Sequence, residues 1–149
     1  MAKKLSPERE RTLRLQERVF RFGCAVLTSC PARIHDVASR ELWRQLVKAA
    51  TSVSANLEEA DEASSDADFI AKLKIALREA KESRLLIRFL TECRLAEYQA
   101  LKASAEEARQ LAAILATIVL NVKRRLELEK ASKASGGNKS SRAAITGQL

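Results

Sequence analysis

The chain has 149 residues, of which 46% are hydrophobic and only 4% aromatic, and 27 Lys and Arg against 19 Asp and Glu give a formal net charge of +8. This length fits one domain with its own core, and the shortage of aromatic residues, glycine and proline favours helices over strands. No apolar segment is long enough to cross a bilayer, and the charged N-terminal segment lacks the apolar stretch of a signal peptide. We therefore expect a cytoplasmic all-α protein with no membrane partner.

Residues that commonly carry metal or catalytic chemistry are few. The three cysteines, Cys24, Cys30 and Cys93, are widely spaced, and His35 is the single histidine. A zinc site needs closely spaced Cys or His pairs, and neither a Gly-rich phosphate loop nor a nucleophile motif occurs. We expect no enzymatic activity, no cofactor and no small-molecule substrate.

The first two helices are predicted from their termini and their apolar spacing. Ser6-Pro7-Glu8 supplies an N-cap serine, a proline in the first turn and an acid, so a helix should start there and end near Ser29, before Pro31. A second helix is predicted over about residues 36–61, where apolar residues recur at spacings of four and three, the seam of a bundle. Asn56 lies on that seam, where we expect it to fix the register or to bond a partner helix.

Two serine motifs predict the starts of the remaining helices. Ser65 followed by Asp68 resembles a capping box and predicts a third helix over about residues 66–93. Ser104-Ala105-Glu106-Glu107 is a full capping box and predicts that a fourth helix starts there and ends near Ala131.

Four helices with short connections predict an antiparallel up-down four-helix bundle over residues 1–131. Residues 132–149 are small, polar and glycine-containing, which predicts a disordered basic tail.

The fourth predicted helix also suggests self-association. Residues 111–122, LAAILATIVLNV, carry no charge. A helix that is apolar nearly all round is buried on more than one side, whereas a single four-helix bundle buries one. We therefore expect a homo-oligomer, with an interface formed by Leu111, Ile114, Leu115, Ile118 and Leu120.

One acidic stretch interrupts this basic chain. Residues 49–71 contain no Lys or Arg but six acids. Asp66 and Asp68 are expected at a helix N-terminus, which favours negative charge. The other four fall at a helix C-terminus, where acids are mildly unfavourable, so they predict a basic partner from another helix or another subunit: Glu58, Glu59, Asp61 and Glu62.

Basic residues form two helical stripes and one cluster. The first-helix stripe is Arg11, Arg14, Arg18 and Arg21; the third-helix stripe is Lys74, Arg78, Lys81 and Arg88; the cluster at the predicted end of the fourth helix is Lys123, Arg124 and Arg125. Such stripes predict binding to the phosphate backbone of RNA or DNA; the alternative is a solvated surface partly paired with acids. No aromatic residue interleaves the stripes, so base-specific readout is not expected.

Residues 55–90 contain a set of polar and apolar positions that together form a recognisable motif: Ala55, Asn56, Glu59, Asp68, Phe69, Ile70, Lys72, Glu79, Ala80, Glu82 and Ser83. This motif resembles that of the small four-helix bundle proteins found in intervening sequences of bacterial 23S rRNA genes, and of the related accessory variability determinants of diversity-generating retroelements. Ser54 stands where many members have proline, and Ala60 where many have glycine. The resemblance covers roughly residues 35–127.

This resemblance implies a four-helix bundle, often a ring-like homopentamer, without enzymatic activity. For the retroelement relatives it also implies binding to nucleic acid and to a reverse transcriptase. Asn56, Glu59, Glu79 and Glu82 are the polar positions expected to make structural or partner contacts, the acids with Lys48, Lys72 or an arginine. A carboxylate metal site would need Glu-x-x-His pairs, which do not occur.

Two functions remain open at this stage. One is an oligomeric accessory protein that binds nucleic acid and partners a reverse transcriptase. The other is a structural adaptor, of the intervening-sequence type, that docks a basic protein partner on the acids of residues 58–62.

Overall fold

The computed structural model describes the backbone of residues 6–143 and the side chains of residues 6–135. Over this range the chain forms four helices: α1 (Pro7–Ser29), α2 (Val37–Asp61), α3 (Asp66–Glu92) and α4 (Tyr98–Ala143). The expected all-α class is therefore confirmed. None of the described helices combines the length and the apolar character needed to cross a membrane.

The first three helices start at the residues that the sequence predicts, because each start has a side-chain cap. The Ser6 hydroxyl accepts from the Arg9 N–H at 3.2 Å, Asp36 from the Ser39 N–H at 2.7 Å, and Ser65 from the Asp68 N–H at 3.1 Å. Each cap satisfies one of the backbone donors that a helix start leaves unpaired. The bond from Ser39 also holds the pKa of Asp36 below its ordinary value.

Each helix packs against its neighbours in the chain, and α1 closes the arrangement against α4. Within the described residues, helices α1 and α3, and likewise α2 and α4, make no close contact with each other, so the four helices form a closed ring of neighbours in chain order. The α2–α3 and α3–α4 contacts are the most extensive, and the α1–α4 contact is the smallest. The predicted up-down bundle is confirmed, with α1 as its least tightly held member.

Every helix contributes large apolar side chains to one core. The fully buried ones are Val19, Phe22 and Val26 of α1, Leu46 and Val53 of α2, Leu73 and Leu90 of α3, and Leu101, Leu111 and Leu115 of α4. Burying a leucine or phenylalanine side chain contributes about 1.5–3 kcal/mol. This core fixes which face of each helix remains outside.

The α3–α4 connection ends α3 with a left-handed residue. Arg94 has φ 57°, its N–H bonds Thr91 O at 3.2 Å, and the Leu95 N–H reaches back to Leu90 O at 2.8 Å. This pair of bonds is the Schellman motif, which usually places glycine where Arg94 stands. Leu95 then packs against the core, as the motif requires of the residue after the left-handed one.

The predicted start of α4 at Ser104 is wrong. The helix begins at Tyr98, and Ser104 lies inside it with 5% of its surface exposed. The reason is Leu101, which is fully buried. The helix starts about two turns earlier than expected, which places this leucine in the core, and that gain exceeds what a local capping signal at Ser104 offers.

The far end of α4 also differs from the expectation. The helix continues past Ala131 to Ala143, so it enters the segment expected to form a tail, of which residues 144–149 lie outside the described residues. Lys123, Arg124 and Arg125 therefore lie within α4 and not at its end. From Arg125, which pairs with Asp66 at the start of α3, the helix extends about 27 Å further. The domain boundary at residue 131 stays a prediction.

Candidate nucleic-acid interface

The α1 stripe is largely compensated by acids. Arg14 and Arg21 are exposed, and they pair within their own helix with Glu10 at 3.4 Å and with Glu17 at 2.7 Å. Arg14, Arg18 and Arg21 line a groove of about 790 Å³ between α1 and α4, but the same groove contains Glu17 and Glu107. Among the four stripe residues, only Arg11 has no acidic partner within the described residues. The mixed charge of this surface makes it less favourable for an anion than an uncompensated row of cations would be.

Arg18 is the residue of the α1 stripe that bonds to another helix of the bundle. Its Nε and Nη2 donate to the two carboxylate oxygens of Glu107 at 2.6 and 2.8 Å, and Nη2 also donates to Gln110 at 2.6 Å. The bond to Glu107 raises the pKa of Arg18 above its ordinary value. A guanidinium held by three acceptors on α4 ties two helices together, so Arg18 is not a free phosphate ligand.

The outer surface of α3 is the less compensated one. Lys74 and Lys81 are exposed and have no acidic partner within the described residues. Arg78 reaches the adjacent Glu79 only at 3.3 Å, and Arg88 pairs with Glu92 at 2.7 Å. Since the stripe repeats at spacings of four and three, its side chains project from the same side of the helix.

Two basic residues that sequence reasoning missed extend this surface. Arg84 lies three residues after Lys81 on the side toward α4, and Lys102 follows on α4; both are exposed and without an acidic partner among the residues described. The spacing after Lys81 could have indicated Arg84, whereas Lys102 is included because it follows Leu101, which lines a groove between α3 and α4. We call this surface the α3 basic face: Lys74, Arg78, Lys81, Arg84, Arg88 and Lys102.

Apolar and aromatic side chains stand among these cations. A groove of about 430 Å³ between α3 and α4 is lined by Arg84, Leu85, Arg88 and Tyr98, and it also contains Glu92, the acid that pairs with Arg88. Tyr98 is 54% exposed, and Phe89, next to Arg88 on α3, is 49% exposed. The α3 stripe itself, from Lys74 to Arg88, contains no aromatic residue, as expected from the sequence; Phe89 directly follows it, and Tyr98 comes from α4. Phe89 was present in the sequence, but its exposure follows from the packing of α3.

The basic cluster on α4 divides in two. Arg125 donates to Asp66 at 3.1 Å and lies 3.7 Å from Glu129, so it ties α4 to the start of α3. Lys123 and Arg124 are exposed, without an acidic partner in the described part of the chain. These two cations remain available to an anionic partner, and Arg125 is largely occupied.

The acidic end of α2 finds its partners inside the bundle. Asp61 accepts from Arg9 at 2.7 Å and from Gln16 at 3.3 Å, and Glu59 pairs with Lys72 of α3. The Glu58 carboxylate accepts from Gln16 at 3.4 Å, whereas the carboxylate of Glu62 has no ion-pair or hydrogen-bond partner among the described residues. The prediction of basic partners from other helices is confirmed for Asp61 and Glu59. Glu58 and Glu62 are exposed and have no cationic partner among the described residues, so these two acids of the adaptor's expected docking surface remain available.

The other polar positions make only local contacts. Asn56 is half-buried and donates to Ser52 O of its own helix at 2.9 Å, so the expected bond to a partner helix is not present. The buried row of α2 passes beside Asn56, through Val53, Leu57 and Ala60. Glu79 is reached by Arg78, and its backbone oxygen accepts from the Ser83 hydroxyl at 2.8 Å. Glu82 is exposed and has no ion-pair partner within the described residues.

The apolar run of α4 is mostly absorbed by the core of a single chain. Leu111 and Leu115 are fully buried there, which removes them from the expected oligomer interface. Ile114 and Ile118 are half-buried, whereas Leu120 is 66% exposed. The reason is that α4 packs against both α1 and α3, so one chain covers two of its sides. Of the predicted interface residues, Leu120 remains largely available.

The fold and its surface define a small all-α bundle protein with a basic outer face. Within residues 6–135, no group of three or more His, Cys, Asp or Glu side chains is placed to hold a metal ion. The chain belongs to the family of 23S rRNA-intervening sequence proteins, whose family model matches residues 11–117. The resemblance seen in the sequence is thereby confirmed at the level of the family.

One solved structure supports the fold. The chain is similar to a protein of unknown function from the S23 ribosomal protein family of Bacteroides thetaiotaomicron, with a TM-score of 0.64 and 23% sequence identity. The similarity covers 72% of this chain and 96% of the other. At this identity the likeness establishes the shared fold alone. No curated protein is significantly similar in sequence.

Proposed function

We propose that this protein is a non-enzymatic, homo-oligomeric accessory protein that binds RNA or DNA through phosphate contacts on the α3 basic face. The observation that supports the proposal is the set of four exposed cations on this face without an acidic partner among the described residues: Lys74, Lys81, Arg84 and Lys102. An uncompensated group of cations attracts phosphates and releases their counterions, and the net charge of +8 adds a favourable long-range field.

The α3 basic face replaces the α1 stripe as the surface to test. A variant that neutralises the whole α1 stripe would also break the Arg18–Glu107 pair, so weaker binding could reflect a loosened α1. Lys74 and Lys81 are better positions, since replacing them with glutamine removes two charges, keeps helix propensity and breaks no ion pair. The matched control is Arg14→Gln with Arg21→Gln, which removes two charges from α1.

The experiment is a binding titration of RNA and DNA at several salt concentrations. The logarithm of the wild-type binding constant should fall linearly with the logarithm of the salt concentration. For each phosphate that the α3 variant no longer neutralises, the steepness of that line should decrease by about 0.7–0.9. The α1 variant should change it less. If the wild type binds neither nucleic acid at low salt, the proposal is wrong; if the α1 variant has the larger effect, the proposed surface is wrong.

Assembly is a separate part of the proposal. Leu120 is a large apolar side chain that the single bundle leaves 66% exposed, and assembly would repeat the α3 basic face in each subunit. Light scattering should give a mass several times the 16.5 kDa of one chain, and Leu120→Glu should lower it. A wild-type mass of one chain at micromolar concentration would contradict this part alone.

A reverse transcriptase is the protein partner that we propose, from the resemblance to the retroelement relatives. Co-purification with a reverse transcriptase encoded beside the gene tests this partner. Failure to co-purify would remove the reverse transcriptase from the proposal, and the salt titrations would still test the binding of nucleic acid.

A further inference from the structure

We propose that the α3 basic face takes a single strand of nucleic acid, with Phe89 and Tyr98 as platforms on which its bases stack. This inference rests on the proposed function, because it specifies the form of nucleic acid that the same surface binds. It is carried by the position of two exposed aromatic rings among cations. Tyr98 shares a groove with Arg84 and Arg88, and Phe89 is the residue next to Arg88.

Phe89 and Tyr98 expose about half of their surface to solvent, so the core of the bundle does not account for either ring. Phe89 is 49% and Tyr98 54% exposed, and Leu85, one turn before Phe89, is 51% exposed. Below Tyr98, Ile87 and Leu101 belong to the core, so the groove beside this ring has an apolar wall and an edge formed by Arg84, Arg88 and Glu92. Phe89 does not line this groove and lies outside it on α3. Flat apolar surface next to phosphate-binding cations is what a strand with unstacked bases requires, because every base has a face that can stack.

The cations extend along the same surface as the rings. Lys74 and Arg88 are separated by about 21 Å along α3, a length over which several nucleotides of an extended strand can contact the face. Arg84 can serve either a phosphate or the face of a base, because a guanidinium also stacks on aromatic rings. The face itself carries no Asn or Gln, the side chains that bond adenine edges, so we expect little dependence on base sequence.

The charge of the α3 basic face favours a nucleic acid over a second copy of this chain as the molecule that binds there. In the acidic cluster at the end of α2, Glu59 and Asp61 are already paired with cations of their own bundle, which leaves Glu58 and Glu62 to meet six cations. A duplex would satisfy the cations but would keep its bases stacked and out of reach of Phe89 and Tyr98. An anionic membrane could also meet cations and aromatic rings, but it needs a continuous apolar face. Here the two exposed apolar residues of α3, Leu85 and Phe89, are separated along the chain by Arg88 and preceded by Arg84.

The test compares a labelled single strand of about 15 nucleotides with a duplex of the same length, at equal salt. The wild type should prefer the single strand. The double variant Phe89→Ala, Tyr98→Ala should weaken binding of the single strand by about fivefold or more for each stacked base and change duplex binding little. Its salt dependence should match that of the wild type, because no charge is removed. When the strand carries the fluorescent base 2-aminopurine, stacking on the rings of the wild type should quench its fluorescence. The double variant should not cause this quenching.

The matched control is Phe20→Ala, since Phe20 is an aromatic residue of α1 that is 57% exposed and lies away from this face. It should leave both affinities unchanged. Circular dichroism verifies that the variants fold; if the double alanine variant does not, Phe89→Leu with Tyr98→Leu keeps the apolar volume, removes the rings and should weaken binding of the single strand as much.

The outcomes separate this inference from the proposed function. If the wild type binds neither strand nor duplex at low salt, the proposed function fails and this inference with it. If the wild type binds both and the aromatic variants weaken neither, or weaken both equally, the stacking inference is overturned and the proposed function stands. Sedimentation with anionic phospholipid vesicles tests a lipid partner. If the aromatic variants lose binding to the vesicles but keep binding to the single strand, the face binds lipid and the inference is also overturned.

Discussion

Arg18 of α1 and Glu107 of α4 form a two-point ion pair across the two helices with the smallest mutual contact in the bundle. Both guanidinium bonds are shorter than 3 Å, and Gln110 accepts a third. A planar guanidinium matches the two oxygens of a carboxylate, so this geometry is favourable for each bond. The pair therefore contributes specifically to holding α1 on the bundle.

The first prediction concerns this pair. Arg18→Gln should lower the free energy of unfolding by about 0.5–1 kcal/mol, because Arg18 is partly exposed and water screens the interaction. Arg21→Gln is the control, since Arg21 pairs with Glu17 within one helix, and its cost should be about 0.3–0.5 kcal/mol. Urea denaturation of both variants, and of Arg18→Gln combined with Glu107→Gln, measures the coupling. No coupling between positions 18 and 107 would mean that the pair contributes nothing to stability.

The sequence predicts helices that start with a local signal and fails where packing decides. Ser6, Asp36 and Ser65 cap helices that start where expected, because a cap involves residues three apart. The capping box at Ser104 is an equally good local signal, but Leu101 belongs to the core and extends the helix backwards. Where a helix starts therefore depends on how much apolar area each possible start buries, and the amino-acid sequence alone does not give that area.

The candidate interface shows the same division. The spacing of Lys74, Arg78 and Lys81 places them on one side of a helix, and this much follows from periodicity alone. The removal of Arg18 from the α1 stripe depends on Glu107, which is 89 residues away in sequence. The groove that joins Arg84 to Tyr98 likewise exists only once α3 and α4 are packed. Charge pairing and grooves are therefore properties of the assembled bundle.

The second prediction reverses an expectation about Asn56. On the sequence alone, replacing it should strand a buried partner and lower the melting temperature. Its side chain instead donates to Ser52 O in its own helix, and that carbonyl can still accept the helical backbone bond. Asn56→Ala should therefore raise the free energy of unfolding by a few tenths of a kcal/mol, because alanine has the higher helix propensity. A clear fall in the melting temperature would reveal a contact that a single bundle does not contain.

The third prediction concerns acid pH and a motif that occurs twice, Glu-x-x-Arg-Gln at residues 41–45 and 106–110. Bonds first from Arg109 and then from Gln110 lower the pKa of Glu106 from 4.5 to about 2. A pKa lowered by folding means that the stabilisation is fully present above the unfolded value and is lost as the pH falls through the folded value. Glu106→Gln should therefore lower the melting temperature at neutral pH, with the difference from wild type shrinking between about pH 4.5 and pH 2.

The second copy of this motif, at residues 41–45, should show the same dependence of stability on pH. Bonds first from Arg44 and then from Gln45 also lower the pKa of Glu41 to about 2, so Glu41→Gln should show the same pH window. Melting curves of wild type and both variants at neutral pH and near pH 2 measure the effect. A difference that stays constant across this range would show that the two carboxylates do not stabilise the fold through their charge.

The last prediction concerns Arg94, the left-handed residue that ends α3. A non-glycine residue in this region costs about 1–2 kcal/mol, whereas glycine adopts it without strain but loses more conformational entropy on folding. Arg94→Gly should therefore raise the free energy of unfolding by about 0.5–1 kcal/mol, with the bonds from Arg94 N–H to Thr91 and from Leu95 N–H to Leu90 preserved.

Two controls separate this gain from other causes. Arg94→Ala removes the same side chain and keeps the strain, so it should give no gain. Lys81→Gly places a glycine in the interior of α3, where it should cost about 0.5–1 kcal/mol. Urea denaturation of the three variants measures these differences. Equal stability of the glycine and alanine variants at position 94 would show that the backbone at this position is not strained.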